Sequence, residues 1–170
     1  MGEAPVTAKA DIQQRRNRPG CSYVKYELVR TYIGGVAEVE VDRTTGEIRV
    51  SNFYIVHDCG QIINPNGVKA QIEGCIIQTV SHTLKEELSF DRSMVTSLDW
   101  ASYPILTFLE VPDIEVELID RPTEKPWGAG EPTTALVSSS ISNAVFDATG
   151  VRLRSVPFKP EKVRAALQSA

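Results

Sequence analysis

Two alternating segments around one short turn constrain the fold of this chain more than any other feature. Valines alternate with charged residues over residues 34–42, and apolar and polar residues alternate again over residues 47–56. The intervening residues 43–46 read RTTG, a composition typical of a tight turn. Successive side chains of a strand point to opposite faces of a sheet, so this pattern indicates two strands that each bury one face. The sequence therefore predicts an antiparallel hairpin.

A helix with two different faces is predicted after this hairpin. Apolar residues recur at three- and four-residue steps over residues 68–88, and Asn64 or Asn66 is available as the N-terminal cap. Beside the apolar stripe runs a polar line of Gln71, Gly74, Gln78 and Ser81. The two amides either hold a polar ligand against the helix backbone or are simply solvated. The spacing alone leaves both interpretations open, and the first would suit a small-molecule binding domain.

The rest of the chain predicts one further strand and two further helices. Residues 113–120 alternate as a half-buried strand. Residues 133–149 carry apolar residues on one side and precede Gly150, a typical helix stop. Residues 160–168 form a short last helix. We therefore expect an α+β fold with helices packed on a mixed or antiparallel sheet.

Composition favours an ordinary water-soluble domain. Hydrophobic residues make up 42% and charged residues 24% of the 170 residues, and the net charge of −4 argues against a nucleic-acid or anionic-membrane partner. No apolar run is long enough to span a membrane. We expect residues 1–21 to be an N-terminal arm or cut edge and residues 22–170 to be one segment. The first residues lack the apolar centre of a signal peptide, so we expect a cytoplasmic location for the chain as given, with a periplasmic one open for a longer parent.

The cysteines and histidines give no metal-binding pattern. Three cysteines, an odd number, are too few for a disulfide framework. His57, Cys59, Cys75 and His82 are separated by two, sixteen and seven residues, which fits no closed zinc pattern. We therefore predict no metal bound by protein ligands, and we interpret the cysteines as small buried apolar groups.

The turn that contains Gly128, Gly130 and Glu131 has two possible roles. Pro132 suits the first position of the following helix, which would place Glu131 at its cap. The two glycines would allow unusual dihedral angles and would let a ligand approach the backbone closely. Glu131 is then either a helix-capping acid or a general base that works near neutral pH.

Four motifs, in order along the chain, resemble the molybdopterin-binding region of the molybdenum hydroxylases, the xanthine oxidase family. They are residues 58–67 with 71–74, residues 103–104 with 111–116, residues 128–132, and residues 141–150. The amino-acid sequences of residues 77–87 and 123–128 are most similar to those of the large subunits of isoquinoline 1-oxidoreductase and related nicotinate-type dehydrogenases. The resemblance covers most of the chain, roughly residues 34–155.

The resemblance implies a role for each residue of the candidate site. Glu131 would be the general base that deprotonates a hydroxyl group on molybdenum, in the hydroxylation of an N-heterocycle or an aldehyde. Gln71 would bind the molybdopterin cofactor by a hydrogen bond, and Gly128 and Gly130 would lie along it. The pterin and its metal would carry out the redox step.

The resemblance also implies that this chain is the C-terminal part of a larger catalytic subunit. Its partners would be the remainder of that large subunit and a small subunit that carries [2Fe–2S] clusters. Alone the chain would be inactive, and its exposed apolar surface would favour self-association. The alternative is a non-enzymatic scaffold, a binding or oligomerisation module derived from the same fold.

Overall fold

The computed structural model describes residues 31–169 together with the backbone of two short strands in the first thirty residues. The strands are β1 (Val6–Lys9), β2 (Ser22–Val24), β3 (Thr31–Val41), β4 (Ile48–Asp58) and β5 (Asp113–Leu118), and the helices are α1 (Pro65–Leu84), α2 (Thr134–Thr149) and α3 (Pro160–Gln168). One mixed sheet has the order β1-β3-β4-β5, with β2 also paired to β3. Apart from β1, the predicted N-terminal arm lies outside the described residues. The predicted α+β fold is confirmed.

The predicted hairpin is confirmed as the antiparallel pair β3 and β4. Asp42 closes its turn, because the side chain accepts the amide hydrogen of Thr44 at 2.7 Å and the carbonyl accepts that of Gly46 at 2.8 Å. Gly46 has a φ of 84°, in the left-handed region that glycine tolerates best. The turn therefore has both the side-chain acceptor and the glycine that its backbone requires.

A β-bulge at Ser51 keeps both halves of β4 in the core. Glu38 pairs with Asn52 but Val39 pairs with Val50, so Ser51 has no partner in the ladder. The extra residue shifts the alternation by one position. Even-numbered Val50 faces the core before the bulge, and odd-numbered residues such as Phe53 face it afterwards, both at 3% exposure or less.

Helix α1 connects two parallel strands. β4 and β5 run in parallel, with Asn52 opposite Asp113 and His57 opposite Leu118. Asn64 caps α1 as predicted, its side chain accepting the amide hydrogen of Gly67 at 3.0 Å. Because the strands are parallel, their carboxyl ends meet at the same edge of the sheet, which is where α/β folds commonly bind ligands.

One face of the sheet forms the hydrophobic core with the helices. Fully buried apolar residues come from both the sheet and the helices: Ala37, Phe53, Ile72, Ile76, Val80, Leu136, Ile141 and Val163. Helix α1 ends at Leu84 and not at residue 88, since Lys85 leaves the helical region with a φ of −127°. Gly150 ends α2 with a φ of 76°, and α3 has the predicted bounds.

The connection between α1 and β5 carries most of the exposed apolar side chains. We call residues 88–109 the apolar segment. Nine of the fourteen exposed large hydrophobic residues among those described belong to it: Leu88, Phe90, Met94, Val95, Leu98, Trp100, Ile105, Phe108 and Leu109. Polar turns order this segment, for example Asp91 accepting the amide hydrogens of Ser93 and Met94. Within the described residues, no helix combines the length and the hydropathy that a membrane span requires.

Candidate functional site

The loops that follow β4 and β5 meet at the carboxyl edge of the parallel strands. The Arg121 guanidinium forms an ion pair with Asp58, with Nε 2.9 Å from the carboxylate. The Arg121 amide donates to the Gly60 carbonyl at 3.1 Å, and the Trp127 amide donates to the Cys59 carbonyl at 2.8 Å. These contacts fix the path of the chain from β5 towards Gly128.

Gly60 is a point of close approach between the two loops. Its φ is 77°, and a Cβ built on it would lie 2.2 Å from the Lys125 carbonyl oxygen. Both the left-handed conformation and the close approach of backbone require glycine at this position. The interlocking of the two loops therefore depends on one residue without a side chain.

Two tethers from different elements hold the turn around Gly128 and Gly130. The Thr31 hydroxyl on β3 donates to the Gly128 carbonyl at 2.9 Å. The Cys75 thiol on α1 donates to the Gly130 carbonyl, also at 2.9 Å. The turn therefore lies between the sheet and the first helix, directly before α2.

The structure brings the predicted site residues together. Gln71 lies one helical turn before Cys75, and its Oε1 is 3.7 Å from the position that a Cβ on Gly130 would occupy. Glu131 follows Gly130 directly, and both Gln71 and Glu131 are exposed. An amide and a carboxylate that are sixty residues apart in the sequence thus share one open surface.

Helix α2 begins at Thr134, one residue later than the predicted range 133–149 and two residues later than Pro132. Thr133 has helical dihedral angles and occupies the N-cap position, so Pro132 is not the first helical residue and Glu131 is not the cap. Instead the Glu131 carbonyl accepts hydrogen bonds from the amide and the hydroxyl of Thr134, at 3.0 and 2.8 Å. Residues 131–133 therefore form a separate turn that leads into the helix, and it leaves the Glu131 side chain at the surface.

The predicted unusual dihedral angles of Gly128 and Gly130 are also absent. Among the described residues, the glycines with positive φ are Gly46, Gly60 and Gly150. A Cβ on Gly128 would meet nothing within 4 Å. These two glycines therefore provide open space beside the backbone and not a special turn geometry.

The polar line on α1 divides into an open part and a structural part. Gln71, Gly74 and Gln78 are exposed, and a Cβ on Gly74 would meet nothing within 4 Å. Ser81 is buried, and its hydroxyl accepts the amide hydrogen of Leu106 at 2.9 Å. The first three residues are therefore available to a ligand, whereas Ser81 holds the end of the apolar segment against the helix.

The burial predicted for the cysteines is confirmed for Cys59 and Cys75. Burial raises the pKa of both thiols. Cys75 is nevertheless more than an apolar filler, since it contacts the turn that carries Glu131. Its position one turn after Gln71 is the sequence signal that could have indicated this role. Nothing in the sequence indicated the role of Thr31.

His57 is completely buried at the carboxyl end of β4. Neither ring nitrogen has a hydrogen-bond partner among the described residues. Burial lowers the pKa of the imidazole, and the neighbouring Asp58 opposes this change. The folded chain therefore holds His57 in its neutral form at neutral pH.

We expect His57 to make the stability of the chain depend on pH. The unfolded chain takes up a proton at this residue near pH 6.5, whereas the folded chain does so only at lower pH. The free energy of unfolding should therefore fall as the pH drops below about 6.5, by up to about 1.4 kcal/mol per pH unit from this group. Urea unfolding above and below that pH measures the slope. His57→Leu should reduce it, and an unchanged slope in that variant would contradict the assignment. Exposed His82, replaced by glutamine, is the control.

A family model described as the molybdopterin cofactor-binding domain matches residues 5–112. The chain is 43% identical over 169 residues to one subunit of the nicotinate dehydrogenase of Pseudomonas putida, a match that covers 96% of this chain and 14% of that protein. It is 31% identical over 141 residues to the beta subunit of the isoquinoline 1-oxidoreductase of Brevundimonas diminuta, covering 83% of this chain and 18% of that protein.

Solved structures of oxidoreductases are also similar to this chain. The quinoline 2-oxidoreductase of Pseudomonas putida 86 superposes on 82% of this chain and 19% of its own, with a TM-score of 0.76 and 34% identity. For the aldehyde oxidoreductase of Desulfovibrio gigas the match covers 81% of this chain and 15% of that chain, with a TM-score of 0.72 and 28% identity. The chain thus spans between 14% and 19% of the length of these relatives.

Proposed function

The chain belongs to the molybdenum hydroxylase family as a molybdopterin cofactor-binding domain, and we propose that it is the C-terminal part of a catalytic subunit that hydroxylates an N-heterocycle or an aldehyde. The family resemblance predicted from the sequence is confirmed. The names of the relatives contain nicotinate, isoquinoline, quinoline and aldehyde, which supports both substrate classes. In the complete enzyme we expect the remainder of the large subunit and an iron–sulfur small subunit as partners.

The residues around Gln71 fit a large polar cofactor. A Cβ on Gly74 or on Gly128 would meet nothing within 4 Å, and Gly130 lies beside the Gln71 amide. A ligand can therefore approach the backbone of both the helix and the turn, with side-chain amides at hand as hydrogen-bond partners. We assign Gln71 to hydrogen bonding with molybdopterin, and Gly128 and Gly130 to the backbone that lies along it. When bound, the cofactor supplies the redox chemistry.

Glu131 is the residue to which we assign proton transfer. The observation that carries the proposal is that exposed Glu131 directly follows Gly130, the glycine whose Cβ position would lie 3.7 Å from Gln71 Oε1. A general base has to lie within hydrogen-bond reach of the proton that it removes. The tethers from Thr31 and Cys75 restrict the backbone of this turn, so the carboxylate is presented from a defined position.

The isolated chain should bind no molybdenum and show no turnover, because most of the cofactor site would lie in the remainder of the catalytic polypeptide. Metal analysis of the purified 170-residue protein tests this, with the complete enzyme as the positive control. Stoichiometric molybdenum in the isolated chain would contradict the proposed division of the site. An isolated chain that contains molybdenum but shows no turnover would favour a stand-alone binding module instead.

A further inference from the structure

Helix α1 presents two side chains, one turn apart, to the same peptide group. Gln71 is exposed and lies beside Gly130, whereas Cys75 is buried beneath it, at 6% exposure. The Cys75 thiol donates to the Gly130 carbonyl oxygen, across 55 residues of sequence. Both side chains of this helical face therefore lie next to Gly130, with Gln71 exposed to solvent and Cys75 buried in the core.

The Cys75 sulfur remains a hydrogen-bond donor at neutral pH. Burial is the largest effect on its pKa and raises it; the Thr134 amide lowers the pKa, and the Glu131 charge raises it. The raised pKa means that the sulfur keeps its proton. The hydrogen bond to the Gly130 carbonyl places this sulfur where α1 meets the turn, just before the start of α2.

The turn needs such a contact because its own side chains restrain it little. Gly128 and Gly130 are exposed and carry no Cβ. The Thr31 tether fixes Gly128 to the sheet, but it does not relate the turn to the helix that carries Gln71. The Cys75 hydrogen bond relates the two directly, because Gln71 and Cys75 are part of the same rigid helix.

We propose that Cys75 is a positioning residue that fixes the Gly130 peptide to α1 and thereby sets the Glu131 carboxylate relative to the Gln71 amide. This inference rests on the proposed function, because the arrangement of Glu131 and Gln71 matters for catalysis only if they act as proposed. The hydrogen bond itself can be tested in the isolated chain. Cys75 does not act on substrate or cofactor, since it lies below the surface that Gln71 and Glu131 form.

Nuclear magnetic resonance on the 170-residue chain provides the test. Two signals report on the contact: the carbonyl carbon shift of Gly130, and the hydrogen-exchange rate of the Thr134 amide, which bonds to Glu131. Cys75→Ala should move the Gly130 carbonyl signal upfield and speed exchange of the Thr134 amide about three- to tenfold, the effect of losing one hydrogen bond. Cys75→Ser keeps a donor and should restore most of both changes.

Thr83→Val is the matched control. The Thr83 hydroxyl is fully buried and lies 2.6 Å from the Ser138 hydroxyl, so this variant breaks another contact between α1 and α2. A general loosening of the helix pair would change the Gly130 and Thr134 signals in this variant too. We expect neither to change. An equal response to Thr83→Val, or an unchanged Gly130 signal in Cys75→Ala, would overturn the proposal.

If the alanine variant does not fold, a measurement on the wild-type chain tests the Cys75–Gly130 hydrogen bond instead. The Cys75 thiol proton should exchange slowly with water, because it is buried and donated to the Gly130 carbonyl oxygen. Exchange as fast as that of a free cysteine would overturn the proposal. None of these measurements requires molybdenum or turnover, so an active Glu131→Gln enzyme would refute the role of Glu131 without affecting them.

Discussion

Glu131→Gln in the complete oxidoreductase is expected to lower turnover by about 100- to 10,000-fold, the contribution typical of a positioned general base. Glutamine has nearly the same shape as glutamate but cannot accept a proton at neutral pH. The turn and its tethers to Thr31 and Cys75 use backbone carbonyls of Gly128 and Gly130, so the substitution leaves them in place. Molybdenum content should therefore be unchanged.

Steady-state kinetics together with metal analysis on the same preparation distinguishes loss of the general base from loss of bound molybdenum. If Glu131 acts in the transition state, kcat and kcat/KM should fall by the same factor. Glu124→Gln is the control, because this carboxylate is also exposed and belongs to the same loop. We expect its turnover to stay close to that of the wild type. Near-normal turnover of Glu131→Gln would contradict the assignment of Glu131 as the general base.

Gly60→Ala should lower the free energy of unfolding by about 2–4 kcal/mol, in the upper range of single substitutions. A side chain at a φ of 77° costs about 1–2 kcal/mol by itself. In addition, the new methyl group would meet the Lys125 carbonyl oxygen, which is backbone and cannot rotate away. The loop after β5 would have to move away from the end of β4.

Gly128→Ala is the matched control for this experiment. A Cβ there would meet nothing within 4 Å, and the φ of Gly128 is not positive. We expect its free energy of unfolding to stay within about 0.5 kcal/mol of the wild-type value. Urea denaturation of the three proteins makes the comparison. A Gly60→Ala chain as stable as the Gly128→Ala chain would show that the two loops are not interlocked.

Local chemistry explains which parts of the fold could be predicted from the sequence. The hairpin follows from alternation with a glycine turn, and the start of α1 follows from the Asn64 cap. Gly150 and Pro160 mark the end of α2 and the start of α3 in the same way. Each of these signals acts within a few residues, so a single sequence contains it in full.

Contacts between distant residues explain what the sequence left undetermined. The bulge at Ser51 depends on the register against β3, and the parallel pairing of β5 depends on the crossover through α1. The prediction that Pro132 starts α2 was wrong because Thr133 forms the cap with helical dihedral angles. The resemblance implied a site role for Gln71 and Glu131, but the contact of Cys75 with Gly130 exists only in three dimensions.

The apolar segment, residues 88–109, has a consequence for how association of the chain should depend on temperature. Its exposed side chains include Phe108 and Leu109, both more than nine-tenths exposed. The hydrophobic driving force is largely entropic near room temperature and weakens on cooling. Any contact that this segment makes with another protein surface is therefore expected to weaken on cooling. Association through this segment is expected to be underestimated by measurements made only in the cold.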